Sequence, residues 1–290
     1  MGSAAHEPLD LFHLGVPRTI GSYLVETSEG LALFDCGPTS CLPALKAGLA
    51  ERSVELGDIK HLLLSHIHLD HAGAAGTLVR EIPELTVWVS EVGAPHLVDP
   101  SRLERSARRL YGEAFDGLWG ELAAVPEANI RLCVSETQAS AGRAVGLEVF
   151  PAPGHASHHV CYFDGETLYA GDAAGVRIQP AEGVFPPTPP PDVDIEAWGR
   201  TLDEIERRTP ARLALIHFGV AEDVERHLAE LRNRLGVWAR RVERGATEAE
   251  FVAAAKADLP AAEADAYDRA MPFWQSYAGL ARWAEKRRES

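Results

Sequence analysis

Long apolar runs are missing: nowhere in these 290 residues does one reach the ~18–20 positions that a membrane span needs. Residues 1–10 also lack the basic start and apolar stretch of a secretion signal, so the expected location is the cytoplasm, away from membranes. Cysteine is scarce. Cys36, Cys41, Cys133 and Cys161 are scattered, without the close pairing of a zinc knuckle or the density of a disulfide framework. They read as reduced, mostly buried thiols that pack as small hydrophobes. Positive charge is outnumbered, with 28 Lys and Arg against 43 Asp and Glu and a formal net charge of −15. Such a chain repels a polyphosphate backbone, and no basic patch suits RNA, so nucleic acid is not an expected partner. Low-complexity sequence is confined to FPPTPPP, Phe185 to Pro191. Fixed φ angles and lost amide donors make it a stiff, extended connection, either a linker or one wall of a substrate pocket.

Hydrophobic residues at 46% and charged residues at 24% are ordinary globular usage. The length suits one catalytic domain, residues 1–220, followed by a helical extension, residues 221–290, packed on it. Short apolar runs at Leu11–Val16, Thr19–Glu26 and Leu31–Asp35 read as strands, and a second set follows at Val145–Phe150, Val160–Phe163, Thr167–Ala170 and Leu213–Ile216. Helical spacing marks Ser101–Leu122, interrupted near Gly112, and Asp194–Arg208 with Asp194 as N-cap. From Ala221 onward the chain should be helical, divided by Gly245 and Pro260 into about three helices. Two strand sets with outer helices fit an α+β, four-layer αββα sandwich.

The informative stretch is LLLSHIHLDHAGAAG, Leu62 to Gly76: a buried strand, a tight turn with His66, His68, Asp70 and His71, then a helix start. Alternating side chains leave a strand end on one face, so His66 and His68 can grip one ion while Asp70 and His71 address a second. Without a cation, such a cluster would be left repelling or undersatisfied. Three more candidates each follow a predicted strand: His155 in PAPGHASHH, Asp172 in LYAGDAAG and His217 in LALIHFG.

Together these motifs resemble the metallo-β-lactamase superfamily over Leu11 to Gly219, and GHASHH, GDAAG and TPPPDVD are similar to a little-characterised bacterial and archaeal branch. The resemblance implies that His66, His68 and His155 bind one divalent ion, that Asp70, His71 and His217 bind another, and that Asp172 bridges them. Asp35, ending LALFDCG, would brace the metal loop without binding metal. His158 and His159 would be supporting residues, His96 a pocket-lining or structural one, while His6, His13, His61 and His227 have no supporting context. Zinc is the expected metal, with manganese or iron as alternatives. Two bound divalent ions would offset about four of the negative charges locally.

The function so implied is hydrolysis of an ester, thioester or lactone-like small molecule by a hydroxide bridging the two ions, with Asp70 also carrying a proton to the leaving group. Alternatives are a phosphodiesterase, an iron oxidoreductase of the same fold and, last, a non-catalytic metal-binding module. Diiron members of the family place a glutamate where this chain has His68 and carry a flavin domain, and mononuclear persulfide oxidisers leave the second site unused. Lactone-cleaving relatives often carry a tyrosine just after the bridging aspartate, where this chain has Ala173, Ala174 and Gly175. Trp119, Phe185 and Trp274 are possible pocket walls. Phe273, Trp274, Tyr277, Leu280 and Trp283 form an apolar helical stripe that must be covered, by the chain's own core, as a roof over the site or in a homodimer.

Overall fold

The computed structural model describes residues 7–134 and 142–289; His6 lies outside the described residues. One sheet runs in the order β1 (Leu9–Asp10), β2 (Gly21–Thr27), β3 (Gly30–Phe34), β4 (Ile59–Leu63), β5 (Thr86–Ser90) and β6 (Ile130–Val134). Its first three strands pair antiparallel and the rest parallel. The second sheet runs β7 (Gly142–Ala144), β8 (Leu147–Pro151), β9 (Val160–Phe163), β10 (Thr167–Tyr169), β11 (Arg212–Leu215) and β12 (Gly219–Ala221), antiparallel except for β10 with β11.

Side-chain alternation shows why the sheets stack. On β9, Val160 and Tyr162 enter the core shared with the first sheet, while Cys161 points to the opposite core. On β11, Ala214 faces the first sheet and Leu213 and Leu215 face away. A strand apolar on both faces must be covered on both. Helices α1 (Leu42–Glu51) and α3 (Ala75–Glu81) cover the first sheet, and α7 (Ile195–Arg208) and α8 (Val224–Glu243) cover the second. Between α1 and α3 lies the short α2 (Leu69–Ala72); α4 (Ala94–Val98), α5 (Ser101–Tyr111) and α6 (Phe115–Trp119) follow β5. The observed architecture is the expected αββα sandwich. All four cysteines are buried, and no helix among the described residues is long and apolar enough to cross a membrane.

Several sequence expectations shift. Leu11–Val16 is not a strand: Asp10 turns its carboxylate onto the amides of Phe12 and Arg18 at 3.0 and 2.8 Å, folding the segment into a loop. Val145 and Gly146, both at positive φ, make the turn before β8, so that strand starts at Leu147. Gly112 does separate α5 from α6, and Asp194 does cap α7, accepting the Ala197 amide at 2.8 Å. The C-terminal region holds four helices, α8, α9 (Glu248–Ala257), α10 (Ala261–Ala270) and α11 (Phe273–Glu289). The additional break falls at Met271–Pro272, where proline has no amide to donate and disfavours helix in the residue before it.

The apolar stripe of α11 is covered by the chain itself. Phe273, Leu280 and Trp283 pack with Trp238, Phe251 and Tyr267 into a separate core that also takes in Val176, Phe185 and Val193, while Trp274 is 38% exposed. Close approach is built in at Gly279, where a Cβ would sit 2.1 Å from the Thr188 carbonyl oxygen. The first part of the proline-rich segment, residues 185–188, is therefore buried backbone held against α11, with Thr188 Oγ1 donating to the Ser276 carbonyl at 3.0 Å.

Candidate metal centre

The loop after β4 carries most of the polar groups, and Asp35 anchors it. Fully buried at φ 53°, Asp35 accepts the Ser65 amide and the Ser65 hydroxyl, both at 2.7 Å, and faces His71 Nδ1 at 2.7 Å. That is the bracing geometry expected of it. Ser65 Oγ in turn lies 2.9 Å from His66 Nδ1.

The other histidines are oriented in the same way. His155 Nδ1 lies 2.8 Å from the Pro187 carbonyl and His217 Nδ1 lies 2.6 Å from the Thr19 carbonyl. A carbonyl only accepts, so each Nδ1 carries a proton and each Nε2 is the ring atom turned inward. His68 is the exception, presenting Nδ1, which lies 2.9 Å from Nε2 of both His66 and His155. Asp172 then joins two groups. Its Oδ2 is 3.3 Å from His155 Nε2, and its Oδ1 is 3.4 Å from His71 Nε2 and 3.6 Å from His217 Nε2. Asp70 Oδ2 sits 3.5 Å from His217 Nε2 and 3.8 Å from His71 Nε2. All seven predicted residues thus converge at one edge of the sandwich.

The donor set fits divalent cations. Tetrahedral coordination at ~2.0–2.1 Å places neighbouring donors about 3.3 Å apart, and the separations here run from 2.9 to 3.8 Å. His71 Nε2 and Asp172 Oδ1 are buried without a hydrogen-bond partner, an arrangement that a cation would relieve. Three overlapping groups, His66–His68–His155, His66–His71–Asp172 and Asp70–His71–His217, bring their ligand atoms within 4.8 Å of one another. Burial pushes His66 well below the ordinary imidazole value and His68 down to about 3, and it lowers His155 as well. Burial would lower His71 and His217 too, but the Asp172 and Asp70 carboxylates outweigh it and hold both above that value.

Supporting residues cluster around Asp172, which sits in a tight turn, residues 171–174. Its amide donates to His159 Nε2 at 3.2 Å, Trp198 Nε1 donates to the Ala173 carbonyl at 2.8 Å, and His227 Nε2 lies 2.7 Å from the Ala174 carbonyl. Gly171 is required there, because at φ 50° a Cβ would come within 2.6 Å of the Ser65 Cβ. His158 stacks on His66 at 5.9 Å and accepts the Ile67 amide at 3.5 Å. His227 escaped sequence reasoning; its one signal was a histidine within the buried stripe of α8 beside Leu228 and Leu231. Tyr23, likewise missed, holds the His217 turn with its hydroxyl 2.9 Å from the carbonyls of Leu215 and Gly219. Of the proposed walls, Trp119 stacks on His13 at 5.4 Å. Phe185 is no wall: it is wholly buried, packed against Trp238 and Tyr267 with the Arg234 guanidinium over its ring.

The sequence profile of the metallo-beta-lactamase superfamily matches residues 16–217. The chain belongs to this superfamily. Members of the metallo-beta-lactamase superfamily are mostly metal-dependent hydrolases. A metallo-beta-lactamase fold-containing protein of Sulfurisphaera tokodaii, ST1585, is 24% identical over 181 residues, 61% of this chain and 67% of that protein. Its crystal structure aligns with 99% of this chain and 97% of its own at TM-score 0.61 and 17% identity. The metallo-beta-lactamase family protein TTHA1429 of Thermus thermophilus aligns with 93% of this chain and 89% of its own at TM-score 0.62 and 22% identity. Hydroxyacylglutathione hydrolase of Salmonella typhi is 27% identical over 139 residues, 47% of this chain. The match spans only 39% of that enzyme's length.

Proposed function

We propose that this protein is a binuclear metal-dependent hydrolase of small ester, thioester or lactone-like substrates. The observation that carries this reading is Asp172, whose two oxygens face two different histidine groups, Oδ2 toward His155 and Oδ1 toward His71 and His217. His66, His68 and His155 would hold one ion, Asp70, His71 and His217 the other, and Asp172 would be shared. When bound, the ions supply Lewis acidity, lowering the pKa of water from 15.7 toward about 7 and polarising the scissile carbonyl.

The chain's own groups hold that pair and move the proton. Each Nδ1 contact to a carbonyl or carboxylate fixes the ring that would carry a metal bond, which is what makes a ligand set rigid. Asp70 is the more exposed of the two site carboxylates, its side chain 24% accessible against 4% for Asp172. It can therefore take a proton from the attacking water and return it to the leaving oxygen or sulfur as the acyl bond breaks. Likeness to the hydroxyacylglutathione hydrolase segment supports a thioester within this class.

The test is elemental analysis of the purified protein, followed by a panel of ester, thioester, lactone and phosphodiester compounds. Two equivalents of divalent metal and chelator-sensitive acyl hydrolysis are expected. Preferential phosphodiester cleavage would move the reading to a phosphodiesterase, iron with redox turnover to an oxidoreductase, and full metal without turnover to a binding module.

A further inference from the structure

We propose that Tyr111 is a substrate-contacting residue, its hydroxyl donating a hydrogen bond to the acyl oxygen of an ester or thioester at the metal centre, and that Gln275 positions it. The inference rests on the hydrolase reading above and adds a group from outside the seven-residue set.

Placement comes first. Tyr111 ends α5, meets Trp119 edge-on at 5.2 Å, and packs into the small cluster around Leu69. Leu69 directly precedes Asp70. From the opposite side Gln275, buried in the first turn of α11, donates Nε2–H to the Tyr111 hydroxyl oxygen at 3.1 Å. The next residue, Ser276, accepts from Thr188, and the neighbouring Pro187 carbonyl orients His155. The phenol therefore stands between the element carrying Asp70 and the layer that orients His155.

Donor bookkeeping then points to a ligand. A glutamine N–H only donates, so the Tyr111 oxygen is the acceptor and its own proton has no acceptor among the described residues. Tyr23, Tyr162 and Tyr267, by contrast, direct their hydroxyls to backbone carbonyls. Burial raises the Tyr111 phenol to about 12, with the Asp70 charge adding to it, so the group keeps its proton throughout the neutral range. Ala173, Ala174 and Gly175 offer no side-chain hydroxyl just after Asp172. A protonated, half-buried phenol with an unspent donor is suited to an oxygen that gains negative charge during acyl transfer.

The experiment compares the full-length wild type, Tyr111→Phe, Gln275→Leu and the double variant, each metal-loaded, on an aryl acetate ester and an S-acyl thioester. Phenylalanine keeps the packing against Trp119 and Leu69. Tyr111→Phe should retain metal content and Tm while lowering kcat about 100-fold with KM little changed, the pattern of an interaction made in the transition state. Gln275→Leu should lower kcat less, about 10-fold, and the double variant should be no worse than Tyr111→Phe because the two groups act as one unit. Unchanged kcat in Tyr111→Phe, with an active wild type, overturns the assignment alone. So does a kcat loss accompanied by lost metal or a lowered Tm, since that marks a structural role. A wild type inactive on both compounds removes the hydrolase reading first, and the Tyr111 assignment falls with it.

Discussion

The two halves of the candidate metal centre are built from different chemistry. His66, His68 and His155 form an all-imidazole group whose pKa values burial pushes down, so its lone pairs stand ready at neutral pH. Asp70, His71 and His217 form a mixed group in which the carboxylate is held below, and the imidazoles above, their ordinary values. Burial therefore favours the neutral imidazole in the first half, while neighbouring carboxylates favour the protonated imidazole in the second. Proteins can thus prepare a cation site in two ways, by desolvating neutral donors or by letting protons occupy the place of the ion. The second way couples metal uptake to pH and the first does so much less.

The most severe way to break this comparison is to remove the shared group. If the proposed shared role holds, Asp172→Ala should lose both ions and nearly all hydrolysis in metal analysis and turnover assays, because its two oxygens face the two halves. Full retention of either ion would mean that the halves are independent and would end the bridging reading. Asp35→Asn should act unevenly. Supporting residues of this kind are worth about 10–100-fold in metal affinity, and the loss should be larger for the half containing His71, which Asp35 touches directly at 2.7 Å. Equal losses in chelator competition would erase the distinction.

Acidification should separate the halves without mutation. His71 and His217 sit above the free-imidazole value, so protons compete with metal for their Nε2 atoms first as the pH falls, whereas His68, at about 3, stays unprotonated. Metal content followed from pH 8 down to about pH 5 should fall from two equivalents to one, with proton release on uptake seen by calorimetry; simultaneous loss of both ions would contradict this. In the metal-free protein the sign is opposite. A raised imidazole contributes stability that is complete below about 6.5 and fades as pH rises through the folded value, so the Tm of the apo form should drop on the alkaline side. The smallest effect is expected from His227→Leu. It leaves the Ala174 carbonyl without its partner, at a cost of about 1–3 kcal/mol, and should weaken both ions alike, as a denaturation curve beside a metal titration would show.

The sandwich and the convergence of the seven groups were legible because their signals are local. His66 to His71 lie in one turn, and His155, Asp172 and His217 each follow a strand with its own apolar run. What escaped depends on contacts between distant segments. Tyr23 meets Leu215 and Tyr111 meets Gln275 across 192 and 164 positions of sequence. Nothing in the period of α5 distinguishes a tyrosine that ends a surface helix from one that borders a site. Leu11–Val16 departs from strand for a related reason: its residues have strand composition, but Asp10 claims the amides of Phe12 and Arg18. An aromatic such as Phe185 can wall a pocket or fill a core, and only the packing of α8, α10 and α11 shows that it is core.

The bare backbone of Gly279 against Thr188 and Pro189 sets an order of events during synthesis. All seven residues of the candidate centre are translated before the helices of the C-terminal region, His217 just ahead of them. Yet the carbonyl that turns His155 inward belongs to a segment whose outer support is α11, the final helix of the described chain. A ribosome-bound chain that still lacks α11 therefore carries every proposed ligand while the layer aiming one of them is unsupported. Metal capture by a nascent chain should favour the half that does not include His155, and the pair of ions should become complete only once α11 docks.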